Sequence, residues 1–101
     1  MVEFHGVEIP EGKLAEICRR YQVKELSLFG SILRDDFDEQ SDIDVLVEFE
    51  PEVGLGLFEF LDLKYELEAL LGRKVDLGSK DSLKPLIREP VLRRARVLYA
   101  A

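Results

Sequence analysis

Two short clusters in this chain have the residue types and spacing for metal-assisted phosphoryl chemistry. Gly30-Ser31 closes an apolar run, Leu26-Ser27-Leu28-Phe29. Ten residues later Asp42-Ile43-Asp44 opens a second apolar run, Val45 to Phe49. Side chains two apart on a strand point the same way, so Asp42 and Asp44 share a face. Twice the per-residue rise puts their carboxylates roughly 6–7 Å apart. Magnesium takes oxygen ligands and keeps waters or phosphate oxygens in its shell. In two-metal sites the ions lie roughly 3.5–4 Å apart and clamp an in-line displacement. Paired carboxylates repel, and a bound cation removes that cost.

Gly30-Ser31 supplies what a phosphate needs. Glycine allows close backbone approach and unusual torsions. A serine hydroxyl and free N–H groups at a helix start donate to an anion. Arg34, one helical turn on, brings a guanidinium toward the same phosphates. Asp76 is the third acid of interest. It lies inside a short apolar strand, Lys74-Val75-Asp76-Leu77, where an acid must face solvent or a metal. If that strand pairs beside 43–50, Asp76 joins Asp42 and Asp44, where it can bind metal and act as base for an attacking hydroxyl.

Taken singly, each feature has a plainer explanation: an ordinary turn, a solvated strand entry, an edge-strand acid. Their order in one chain is what favours a site. Two competing motifs fail. A calcium loop starting at Asp36 would need Gly at Ser41 and Glu at Val47. A Walker phosphate loop needs Gly-Lys-Ser/Thr, which is absent.

The elements that must position these residues follow from periodicity. Leu14, Ile17, Cys18 and Tyr21 make one face of a helix begun at Ile9-Pro10-Glu11. Glu25 to Phe29 reads as a strand with Leu26 and Leu28 on one side and Ser27 and Phe29 on the other. A helical turn is expected over Ile32–Asp35, then a polar loop to Ser41, a strand over Ile43–Glu50, and a loop from Pro51 to Gly56. Leu57–Leu71 reads as the longest helix, with Leu57, Phe60, Leu61, Leu67, Leu70 and Leu71 toward the core and Gly72 as its stop. A strand over Lys74–Leu77 ends at Gly78. Asp81 or Ser82 caps a last helical stretch that Pro85 and Pro90 divide or open, and Val97–Tyr99 closes the chain as a strand. The order predicts an α/β (α+β) fold: one small mixed sheet flanked by helices, with the 43–50 strand inside it. At 101 residues, a single domain over 1–101 is expected.

Apolar residues make up 47% and charged residues 35%, enough for one core under a charged surface. A net charge of −7 disfavours direct nucleic-acid binding, which needs a basic footprint. The partner is expected to be a protein, or a small anion neutralised by metal. Cys18 is the only cysteine, so no internal disulfide forms, and it reads as a buried small hydrophobe. With His5 the only histidine, a zinc site is disfavoured. The start lacks a signal-peptide pattern and no stretch suits a membrane span, so a cytoplasmic protein is expected. The chain has no Asn and only Gln22 and Gln40 as amides, a composition that hints at a thermophile.

The pattern Gly-Ser, about ten residues, then Asp-x-Asp resembles the nucleotidyltransferase (polymerase β-like) superfamily. More closely, the chain resembles the minimal nucleotidyltransferases, the MNT-type antitoxins of HEPN/MNT toxin–antitoxin pairs. The likeness runs from Leu28-Phe29-Gly30-Ser31 and Arg34 through Ser41–Phe49 to Leu70–Leu77. The resemblance implies ATP as substrate with magnesium, or manganese in its place, and transfer of AMP to a hydroxyl. It implies that Gly30 and Ser31 hold the triphosphate, that Asp42 and Asp44 bind metal, and that Asp76 is the third acid. In the antitoxin subfamily the acceptor is a tyrosine of the partner toxin. Self-association is left open.

About 25 residues follow Asp76, little material for an acceptor pocket, so a second protein is expected to supply one. Leu55, Leu57 and Phe58 are candidates for that contact. Two alternatives stand beside this reading. One is a subunit that nucleotidylates a small molecule with a helical partner. The other is an antitoxin that neutralises by binding alone.

Overall fold

The computed structural model describes residues 2–52, 54 and 56–101. It begins with a hairpin of β1 (Val2–Phe4) and β2 (Val7–Ile9). The two-residue loop, His5 and Gly6, has φ of 51° and 81°. Positive φ at both positions is the turn that matches strand twist. Three-residue strands are too short to show a period, so sequence reading missed this hairpin. Helix α1 (Glu11–Arg20) follows directly after Pro10 and buries Leu14, Ile17 and Cys18.

The main sheet has the order β5-β4-β3-β6. Its strands are β3 (Val23–Phe29), β4 (Ile43–Phe49), β5 (Val75–Ser79) and β6 (Arg96–Ala100). β3 is antiparallel to both β4 and β6, while β5 is parallel to β4. The sheet is therefore mixed and flanked by helices, as expected, with β4 internal. One face carries Leu26, Leu28, Ile43, Val45, Val47, Val75 and Leu77, which form a single core with Leu14, Ile17, Cys18, Leu63, Leu67 and Leu71. Burial pushes the Cys18 thiol up to about 12. Alternation sends Ser27, Phe29, Asp44, Leu46, Glu48 and Asp76 to the opposite face.

Helix α2 (Leu57–Leu71) has the expected bounds, and Gly72 ends it with φ 69°. Its buried stripe is Leu63, Leu67 and Leu71, spaced i, i+4, i+8. Leu57, expected in the core, is 69% exposed, and Leu63 fills the inward position instead. Arg20 and Tyr21, at the end of α1, both donate to Glu66 of α2. That bond pushes the Tyr21 phenol up to about 12 and holds Glu66 below the usual carboxylate range.

Other boundaries differ. The helical turn covers Gly30–Leu33, as a short 3-10 helix, rather than 32–35. Gly78 lies within β5, opposite Leu46, rather than ending it. Val53 and Leu55 of the expected 51–56 loop lie outside the described residues.

After β5, a 3-10 turn (Lys80–Ser82) is capped by Ser79, which accepts from the Asp81 N–H. Lys80 ties this turn to the sheet, its Nζ 2.6 Å from Glu25 and 3.3 Å from Glu48. Helix α3 (Pro85–Arg94) is continuous through Pro90 and buries none of its residues. Pro85 sits in the first turn, where its missing N–H costs nothing. Among the described residues no helix is long and apolar enough to cross a membrane.

Candidate active site

The parallel ladder between β4 and β5 sets Asp44 directly beside Asp76. On its other side Asp44 faces Phe29 of β3. Asp44 is half-buried, whereas Asp42 and Asp76 are exposed. Its carboxyl is held above the usual range, first by burial and then by the charges of Asp76 and Asp42. Two features pull the other way: an N–H bond from Ser31 and the charge of Arg34.

Gly30 closes the site from the end of β3, with φ 75°. A Cβ at this position would lie 2.2 Å from Asp44 Oδ2. A side chain here would force the carboxylate out of its present position. The Gly-Ser turn and the Asp-x-Asp strand thus meet in space. The Ser31 backbone lies near enough to Asp44 to favour its charged form. Arg34 is exposed and donates from Nε to Asp36 at 3.1 Å, while its charge still reaches Asp44.

The donor set suits a hard divalent cation: an excess of carboxylate oxygen, no soft ligand, and an acid destabilised by its neighbours. Among the described residues, however, no three His, Cys, Asp or Glu side chains converge closely enough to hold a metal ion alone. Phosphate oxygens and waters must complete any shell, which is how magnesium usually binds.

Sequence reading missed Arg73. Its guanidinium donates to the backbone carbonyls of Asp38 at 2.6 Å and Ser41 at 2.5 Å. It also lies over the Phe37 ring, 4.5 Å from the centroid. Next to it, Lys74 O accepts from the Ile43 N–H at 2.9 Å. Arg73 therefore clamps the loop that delivers Asp42. The available signal was an arginine directly after a helix-stopping glycine and just before a strand that pairs beside Asp42. Arg73→Ala should cost roughly 1–3 kcal/mol of stability from lost charged hydrogen bonds. It should also raise the Mg2+ concentration for half-maximal transfer several-fold, with Arg73→Lys intermediate. A magnesium titration unchanged in Arg73→Ala limits the clamp to folding.

Comparison with known proteins shows the family and the fold. Protein adenylyltransferase MntA of Thermococcus cleftensis is 47% identical over 78 residues, 77% of each chain. A solved minimal nucleotidyltransferase structure superposes with a TM-score of 0.71 at 40% identity, covering 84% of this chain and 85% of that one. A Shewanella oneidensis complex of a tri-AMPylated HEPN toxin with an MNT antitoxin shares the fold, with a TM-score of 0.62 at 24% identity over 90% of this chain and 70% of that one. The family model of the nucleotidyltransferase domain matches residues 11–98, which include every acid and both turn residues of the site, and the chain belongs to that enzyme family.

Proposed function

We propose that this chain is a magnesium-dependent protein adenylyltransferase that moves AMP from ATP to a tyrosine hydroxyl of a HEPN-type toxin, and so acts as its antitoxin. The observation that carries the reading is the Asp44–Asp76 rung closed by Gly30. The 47% identical relative named as a protein adenylyltransferase supports the protein acceptor. The complex of an AMPylated HEPN toxin with an MNT antitoxin supports the partner.

In this reading Asp42 and Asp44 hold Mg2+ or Mn2+, with Asp76 as the third ligand. The ion, once bound, neutralises charge on the phosphates. Asp76 takes the proton of the acceptor hydroxyl. The hydroxyl oxygen bonds to the α-phosphorus, the bond to the bridging β-phosphate oxygen breaks, and pyrophosphate leaves. Gly30 and Ser31 seat the triphosphate, and Arg34 neutralises part of its charge. Residues 1–101 serve as one minimal domain working in the cytoplasm. Leu57 and Phe58, adjacent in the first turn of α2 and 69% and 81% exposed, offer apolar contact to the partner. Leu55, their companion candidate, lies outside the described residues.

The test is incubation with ATP, Mg2+ and the protein encoded beside this one, followed by intact mass. The expected result is a partner heavier by whole AMP units, lost on chelation. Asp76→Asn should keep the complex and most ATP binding yet add no AMP, and should no longer protect cells from the toxin. Equal protection by Asp76→Asn would mean neutralisation by contact alone.

A further inference from the structure

Residues 34–42 join the Gly30–Leu33 turn to β4 and end on Asp42. Phe37 is the only buried residue among them. Its ring has two partners. The Arg73 guanidinium lies 4.5 Å from its centroid. The His5 ring lies 5.1 Å from it, tilted by 31°. His5 belongs to the β1–β2 turn, and that hairpin is docked on the core through Val7 and Ile9, 6% and 0% exposed. Arg73 in turn donates to the carbonyls of Asp38 and Ser41. A continuous set of contacts therefore runs from His5 through Phe37 and Arg73 to the residue before Asp42.

We propose that His5 is a positioning residue for the metal site: its ring braces Phe37 and so fixes the loop that presents Asp42. The inference rests on the nucleotidyl-transfer reading above, in which Asp42 holds Mg2+. It goes beyond the family likeness, because the nucleotidyltransferase model begins at residue 11 and leaves the hairpin out. The turn itself points to the ring. A two-residue turn with positive φ at both positions favours Asn-Gly. His5-Gly6 has φ of 51° and 81°. Asn would satisfy that backbone at least as well, but it has no ring to set against Phe37. Asp42, for its part, is exposed, so packing of its own side chain does not hold it. Its place is set by the backbone of its loop, and a ligand serves a metal only when neighbouring side chains lock its position.

Two demands meet at His5, a left-handed backbone and a stacked ring, and substitution separates them. His5→Asn keeps the backbone and loses the ring. His5→Phe keeps the ring and strains the backbone. Calorimetry of Mg2+ binding to the full chain with a non-hydrolysable ATP analogue reads the site, and thermal melts in chelator read the fold. His5→Asn should melt close to wild type, because the better turn offsets the lost ring contact. It should bind Mg2+ about two- to tenfold more weakly, the scale of one aromatic pair. Its AMP transfer should reach the wild-type rate at saturating Mg2+, since the acids are intact. His5→Phe should melt lower and bind Mg2+ as wild type does. Phe37→Leu keeps an apolar anchor without a ring. It should also weaken Mg2+ binding, and adding His5→Asn to it should cost nothing more. A further loss in that double variant overturns the brace, because His5 would then act by another route. Wild-type Mg2+ affinity in His5→Asn overturns it too, as do affinity losses in both His5 variants that simply follow their losses in stability. If wild type itself takes up no Mg2+ with the analogue, the functional reading fails, and the brace with it.

Discussion

Asp44→Asn is expected to lower AMP transfer by at least roughly 10²–10³-fold, the scale of removing one charge-stabilising group from an active site. The same substitution should make the metal-free protein more stable. The Asp44 carboxyl is raised above its ordinary range by burial and by the charges of Asp76 and Asp42. A raised carboxyl contributes stability fully below its unfolded pKa, and that contribution is lost as pH rises through the folded value. Above that value the charged Asp44 is therefore a liability, and Asn removes the charge while keeping an oxygen of similar size in its place. Thermal melts in chelator at neutral pH should place Asp44→Asn above wild type. Adding Mg2+ with ATP should stabilise wild type more than the variant, as the proposed function makes Asp44 a metal ligand. A variant that melts lower in chelator would show that the Asp44 charge serves the fold.

Gly30→Ala should be nearly as damaging, by a different route. Its Cβ meets Asp44 Oδ2 at 2.2 Å, and its φ of 75° is a conformation that side chains resist. The backbone strain costs roughly 1–2 kcal/mol. The clash turns the Asp44 carboxylate away from its present position, and misplacing a reacting group by about 1 Å can cost about 10²-fold. Gly6→Ala is the control. Gly6 has φ 81°, but a Cβ added there meets nothing within 4 Å. It should lose comparable stability and keep full transfer per folded molecule. Equal activity in the two variants would reduce Gly30 to a turn residue.

The chain's chemistry was more legible than its geometry. The Gly30-Ser31 and Asp42/Asp44 spacing was visible because each residue type has few uses at a strand end. Helix α2 was legible to the residue because Gly72 marks its stop, yet its inward stripe was misassigned at Leu57 and Leu63. An apolar run rich on several faces does not say which face is covered. The pairing of Asp76 with Asp44 could be framed only as a condition, because strand direction depends on contacts between distant segments. Arg73 was overlooked because its work is done on backbone carbonyls, and these leave no mark in a sequence. The β1–β2 hairpin escaped for want of length. His5, the non-glycine residue of its left-handed turn, is not among the usual turn formers.

Asp44 and Asp76 are 32 positions apart in the chain but one rung apart in the sheet. Nothing local can bring them together: α2 must form, cross over and dock before β5 can pair. Parallel pairing across a long connection is intrinsically slow, because loop entropy is lost before any contact repays it. On refolding, helical signal should return before transfer activity, and the delay between them measures the closing of that ladder. A nascent chain of this kind acquires shape first and chemistry last: each acid of the site is synthesised well before the ladder that joins them can close.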